Sequence, residues 1–86
     1  LLAALVACSG ATRTVRGVVV EVDGDLTNVR SFTVITTDGE RLHLTPDPDG
    51  RYSFPLPHLR DHLRTGQPVV VTFRLEDGRA LAIDDG

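Results

Sequence analysis

Leu56-Pro57-His58-Leu59-Arg60-Asp61-His62-Leu63-Arg64-Thr65-Gly66, followed at once by Gln67-Pro68-Val69-Val70-Val71-Thr72-Phe73-Arg74-Leu75, is the stretch whose reading decides the fold. Its hydrophobic period changes at Gly66. Before it, Leu56, Leu59 and Leu63 stand three and four apart, which places one apolar stripe on a helix. Pro57 suits a first turn, where a missing N–H leaves no bond unmade, and Gly66 suits the stop. The spacing predicts a helix over residues 57–65. After Gly66 the period falls to two, with Val69, Val71, Phe73 and Leu75 on the inward face and Thr72 and Arg74 outward. Two turns of helix do not hold in water alone, so the leucine stripe must lie against a sheet or barrel.

Working upstream, Val15-Arg16-Gly17-Val18-Val19-Val20-Glu21-Val22 is β-branched and nearly continuous, which predicts a strand buried on much of both faces. Gly17 suits a bend or bulge within it. Asp23-Gly24-Asp25 ends that strand, and a loop is expected over residues 26–30. Ser31-Phe32-Thr33-Val34-Ile35-Thr36-Thr37 reads as a second strand and Arg41-Leu42-His43-Leu44-Thr45 as a third, joined by the hairpin signal Asp38-Gly39. Pro46-Asp47-Pro48-Asp49-Gly50 is a turn by composition, after which Arg51-Tyr52-Ser53-Phe54 could continue the third strand. Downstream, Asp77-Gly78 is a further hairpin signal. Arg79-Ala80-Leu81-Ala82-Ile83 is the last strand, with Leu81 and Ile83 inward, and Asp84-Asp85-Gly86 is a polar tail.

Three strands, a short helix and two strands make a mainly β domain. This order resembles the OB-fold, a small five-stranded barrel with a helix between its third and fourth strands. The resemblance spans residues 14–84 and rests on element order; an SH3-like barrel and a β-sandwich fragment are the alternatives. OB-like barrels bind oligosaccharides and oligonucleotides on the face of strands two and three. Carried to this chain, that face is Phe32, Val34, Arg41 and His43, with the loop 26–30 beside it.

The chain has 86 residues, 41% hydrophobic and 24% charged, which allows one globular domain. A single cysteine leaves no disulfide within the chain to reinforce so small a core. Net charge is −3, and all nine basic residues are Arg, interspersed with twelve acids. That balance provides no basic groove, and three Phe and one Tyr provide few stacking platforms, so a nucleic-acid partner is not expected.

The one cysteine sits at the end of an apolar run, Leu1-Leu2-Ala3-Ala4-Leu5-Val6-Ala7, which is far shorter than the roughly 20 residues a membrane span needs. Leu5-Val6-Ala7-Cys8 resembles the lipobox of bacterial lipoproteins. The resemblance implies that residues 1–7 are the end of a signal-peptide apolar region whose start precedes the sequence. It also implies that Cys8 carries a diacylglyceryl lipid, with residues 8–13 as a flexible tether and residues 14–86 as the barrel domain. A diacyl anchor holds a protein on a bilayer without a basic patch. The expected location is therefore extracytoplasmic, on a bacterial membrane, and in diderm lipoproteins a Ser in the position of Ser9 accompanies outer-membrane sorting.

Three constellations bear on chemistry. His58 and His62, at i and i+4, lie on one helix face and could chelate zinc or copper if a third ligand, His43 or an acid, came from elsewhere. The competing reading has the two rings flanking the leucine stripe and bonding backbone carbonyls. Asp47 and Asp49 lack the ligand series of an EF-hand and read as a solvated turn. No nucleophile elbow, phosphate loop or paired catalytic carboxylates stand at the required spacings, so no enzyme is expected. The function expected is that of a non-enzymatic binding or structural module at the cell envelope, with an envelope protein or a glycan as partner and no cofactor. The alternative is an envelope metal-binding protein using His58 and His62.

Overall fold

The computed structural model of the chain describes residues 11–25, 28–48 and 55–86. The lipobox with Cys8, the residues Leu26 and Thr27, Asp49, and the expected strand continuation Arg51-Tyr52-Ser53-Phe54 lie outside the described residues. β1 (Thr12–Asp25), β2 (Asn28–Thr36), β3 (Arg41–Pro46), α1 (Leu56–Thr65), β4 (Val69–Arg74) and β5 (Arg79–Asp85) follow in chain order. The strands close into a barrel in the order β1-β2-β3-β5-β4, the OB-like arrangement. All pairs are antiparallel except β3 with β5, which is parallel and joins Thr45 to Arg79 and Pro46 to Ala80.

Closure depends on β1. Its first half, from Thr12 to Gly17, pairs with β4, and its second half, from Gly17 onward, pairs with β2. Gly17 belongs to both ladders, opposite Val69 on one side and Thr36 on the other. A Cβ built there would fall 2.5 Å from the Ile35 carbonyl oxygen, so only glycine lets the strands approach this closely. The bulge itself lies three residues on. Val19 pairs with Val34 and Glu21 with Thr33, which leaves Val20 as the extra residue, turned outward. β1 is thus buried on one face (Val15, Gly17, Val19), and the expectation of burial on both faces does not hold. The strand also begins at Thr12, ahead of the expected start, because Thr12 already pairs with Arg74: beside it Ala11 O accepts from Leu75 N–H, and the Thr14 and Thr72 hydroxyls bond at 2.9 Å.

The interior is Val15, Val19, Phe32, Val34, Leu44, Leu59, Val69, Val71, Phe73, Ala80 and Ile83. Two expected inward residues are not among them. Leu75 lies past the end of β4, 53% exposed, because the chain turns at Arg74, which binds Asp77 across the loop. Leu81 is only half-buried, because the ladder passes from Thr72↔Ala82 to Phe73↔Ala80 and leaves Leu81 as a bulge; Ala80 points inward in its place. The loop expected over residues 26–30 is shorter than predicted, since β2 already begins at Asn28.

α1 starts after Pro55, has Pro57 in its first turn, and stops at Gly66, whose left-handed backbone (φ 76°) lets its N–H bond the His62 carbonyl. Leu56 and Leu59 are fully buried, with Leu56 over Gly24 of β1. Burying one such leucine contributes about 1.5–3 kcal/mol, which is what holds so short a helix in place. The third inward position is His62, whereas Leu63, expected in the stripe, is 38% exposed.

Gly17→Ala is expected to lose about 3 kcal/mol of folding stability, because the new methyl meets backbone on the partner strand. Gly39→Ala, which has open space around it but a φ of 87°, is expected to lose only about 1 kcal/mol. Urea denaturation midpoints check the order; equal losses would show that the shared strand tolerates separation at Gly17.

Candidate functional site

Among the described residues, two of the places where polar side chains gather bear on function. The first is a groove of about 530 Å³ on the outer face of β1, β2 and β3, lined by Val20, Glu21, Val22, Asp23, Ser31, Phe32, Thr33, His43 and Leu63. The alternation of β2 sends Phe32 and Val34 into the core, where they are 1% and 0% exposed; Phe32 still borders the groove, and Val34 does not line it. The outward residue between them is Thr33. Its hydroxyl donates to Glu21 Oε1 (3.2 Å) and lies 3.1 Å from His43 Nδ1. A hydroxyl has one proton to give, so with that proton on Glu21 it accepts from His43 Nδ1–H. In the neutral ring the second nitrogen of His43 then carries a lone pair.

Arg41, also expected on this face, lies across from Glu21 at 3.2 Å and is held there by charge. Arg30 pairs with Asp23 at 2.9 Å and lies 3.9 Å from Asp25. The groove floor is therefore rich in acceptors (two carboxylates, an imidazole nitrogen and the Ser31 hydroxyl), and arginines at its edge offset the charge. One wall is apolar: Val20, put outward by the bulge, and Leu63 of α1, 37% and 38% exposed. Glu21, Asp23 and Thr33 were not singled out in the sequence. Their signal is their position, alternate residues on the polar face of paired strands.

The second place is where α1 meets the end of β5. The His58 and His62 rings stack in parallel, 5.1 Å between centroids and 5° between planes. Both present Nε2 to the same atom, Asp85 Oδ1, at 3.1 and 2.7 Å. The other His62 nitrogen, Nδ1, lies 2.8 Å from the Gln67 carbonyl oxygen. The Asp85 carboxyl is held below its ordinary value of 3.8, first by the His62 hydrogen bond and then by that of His58. His43 is not part of this group; it belongs to the groove. Asp61 pairs with Arg64 at 3.0 Å. Asp85, read from the sequence as a polar tail, is the acid that the histidine pair faces. Pairing of β5 with β4 puts it there, opposite Val69.

No family model matches the chain, and no curated protein and no solved structure matches it either. The likeness to OB-like barrels rests on strand order and the place of the helix.

The Arg30 guanidinium, by hydrogen bond and then by charge, holds the Asp23 carboxyl below its ordinary value of 3.8. A carboxyl depressed in the folded state contributes stability above its unfolded value, and that contribution is lost as pH falls through the folded value. Asp23 therefore remains an anionic acceptor in the groove at neutral and mildly acid pH. A carboxyl carbon NMR titration is expected to place Asp23 below 3.8 and to return it to the ordinary range in Arg30→Gln; an unchanged titration in the variant would rule out the pairing in solution.

Proposed function

We propose that this chain is a non-enzymatic binding module of the cell envelope, held at a bacterial membrane by a lipid on Cys8 and receiving a glycan in the groove on β1, β2 and β3. The groove carries the reading. Sugars present hydroxyl donors along their edges and C–H surfaces on their faces. Glu21, Asp23, Ser31 and His43 supply acceptors for the first, while Val20 and Leu63 supply an apolar wall for the second. Arg30 and Arg41, already paired with the carboxylates, keep the site from being a plain cation sink. Thr33 stands between His43 and Glu21 but is 2% exposed, so it orients His43 and is not placed to attack a substrate.

The location rests on the resemblance of Leu5-Val6-Ala7-Cys8 to a lipobox. Among the described residues no helix is long and apolar enough to cross a membrane. In this reading attachment falls to the lipid. The barrel begins at Thr12, so only Ser9, Gly10 and Ala11 separate it from Cys8, about 3.3–3.6 Å of reach for each extended residue. The domain would then stand close against the bilayer, with an envelope glycan as the partner within range.

Two measurements test this. Intact-mass spectrometry of protein extracted from membranes is expected to show loss of residues 1–7 and a diacylglyceryl addition, both abolished in Cys8→Ser; an unmodified thiol in the wild type removes the anchor. NMR titration of the barrel with soluble cell-wall oligosaccharides is expected to shift Val22, Asp23, Thr33 and His43. His43→Ala should weaken binding about tenfold, the equivalent of ~1.4 kcal/mol for one lost hydrogen bond. Shifts confined to residues outside the groove would sink the assignment.

A further inference from the structure

We propose that His58, His62 and Asp85 form a binding site for a zinc-type divalent transition metal that clamps α1 to the end of β5. The site uses none of the groove-lining residues named above, and it stands or falls apart from the glycan reading.

His62 is the ligand that the fold orients from behind. Its Nδ1 faces the Gln67 carbonyl oxygen at 2.8 Å, and a carbonyl only accepts, so Nδ1 carries a hydrogen. In the neutral ring the lone pair is then on Nε2. Nε2 is directed at Asp85 Oδ1, 2.7 Å away, so the fold sets this nitrogen beside a carboxylate oxygen. His58 Nε2 meets the same oxygen at 3.1 Å. Each of these contacts is a hydrogen bond when its ring carries a proton on Nε2, and a dication placed among the three atoms takes the place of those protons. A backbone carbonyl holding the far nitrogen of a histidine is also the arrangement that orients metal-binding imidazoles and raises their basicity.

The dimensions agree. One donor atom from each residue lies within 4.8 Å of the other two. With metal–ligand bonds of about 2.0–2.1 Å, the edges of a tetrahedral site are about 3.3 Å. The contacts at 2.7 and 3.1 Å lengthen by about 0.6 and 0.2 Å to admit the ion. The i, i+4 spacing holds the two Nε2 atoms on one side, and the exposed His58 ring swings out of its parallel stack to aim its lone pair at the ion. Two imidazoles and one carboxylate suit zinc or copper over magnesium or calcium, which prefer all-oxygen shells. His62 is buried, whereas His58 and Asp85 are 42% and 67% exposed, so the fourth position opens to water.

Zinc sulfate titrated into the full chain by calorimetry is expected to bind one equivalent, and Co2+ to give the visible absorption of a tetrahedral site. The melting temperature should rise with zinc and not with magnesium. In the wild type, zinc is expected to move the His58 and His62 Nε2 resonances while leaving His43 in place. His58→Ala and Asp85→Asn, both at exposed positions that spare the core, should weaken zinc binding at least a hundredfold and abolish the thermal shift. A wild type that takes up no zinc at ~100 µM, far above the affinity of a three-ligand site, overturns the proposal. So does undiminished binding in both variants, or a zinc response centred on His43.

Discussion

β1 must serve two neighbours at once, and the rest of the barrel depends on its doing so. Its first half belongs to β4 and its second to β2, and the change of partner falls at Gly17, where backbone lies against backbone with no room for a side chain. Three residues later the Val20 bulge shifts the register so that Val22 pairs with Phe32 and packs, half-buried, against the core. Without that shared strand β4 and β5 would form a separate hairpin, and the interior between Val15, Val34 and Val71 would open to water. The parallel seam between β3 and β5 is too short, at two residue pairs, to close the barrel without it.

The same constraint places both polar groups. The bulge that keeps β1 in register exposes Val20 and sets Glu21 opposite Thr33, which builds the groove. The pairing of β5 with β4 carries Asp85 to Val69, and the helix that ends at Gly66 delivers His62 to the same corner. The helix face is not purely apolar because of this. His62 is buried in the place expected of Leu63, its two ring nitrogens facing Gln67 and Asp85. Leu63 is released to the groove wall.

The order of elements was legible because each boundary carries a local chemical mark: Asp-Gly at two hairpins, Pro and Gly at the two ends of the helix, a switch from period four to period two at Gly66. The bulges were not. Val20 and Leu81 have side chains as suited to a strand as their neighbours, so nothing local marks them as the inserted residue, and only the partner's register reveals it. Thr12-Arg13 shows no apolar alternation and reads as tether, yet it is strand because β4 and Glu40 supply its partners. The histidine pair was visible from its spacing. Asp85 was not, since its role comes from a strand pairing between residues far apart in sequence. Phe32 and Val34 show the limit of analogy: these apolar residues belong to the interior, and Thr33 between them faces the groove.

The sharing of β1 also bears on how the molecule assembles. Thr12 pairs with Arg74, so the strand made first must wait for nearly the whole chain before half of its hydrogen bonds exist. The β1–β2–β3 meander needs only neighbouring segments and is free to form early. The first half of β1 would then hang from it as an unpaired edge, with Val15 uncovered, until β4 arrives. Long-range closure of this kind slows folding, and an edge left open for that interval is a template for pairing with another chain. Arg13 and Arg16, charged side chains on this interim edge, are placed to discourage such pairing before β4 completes the ring.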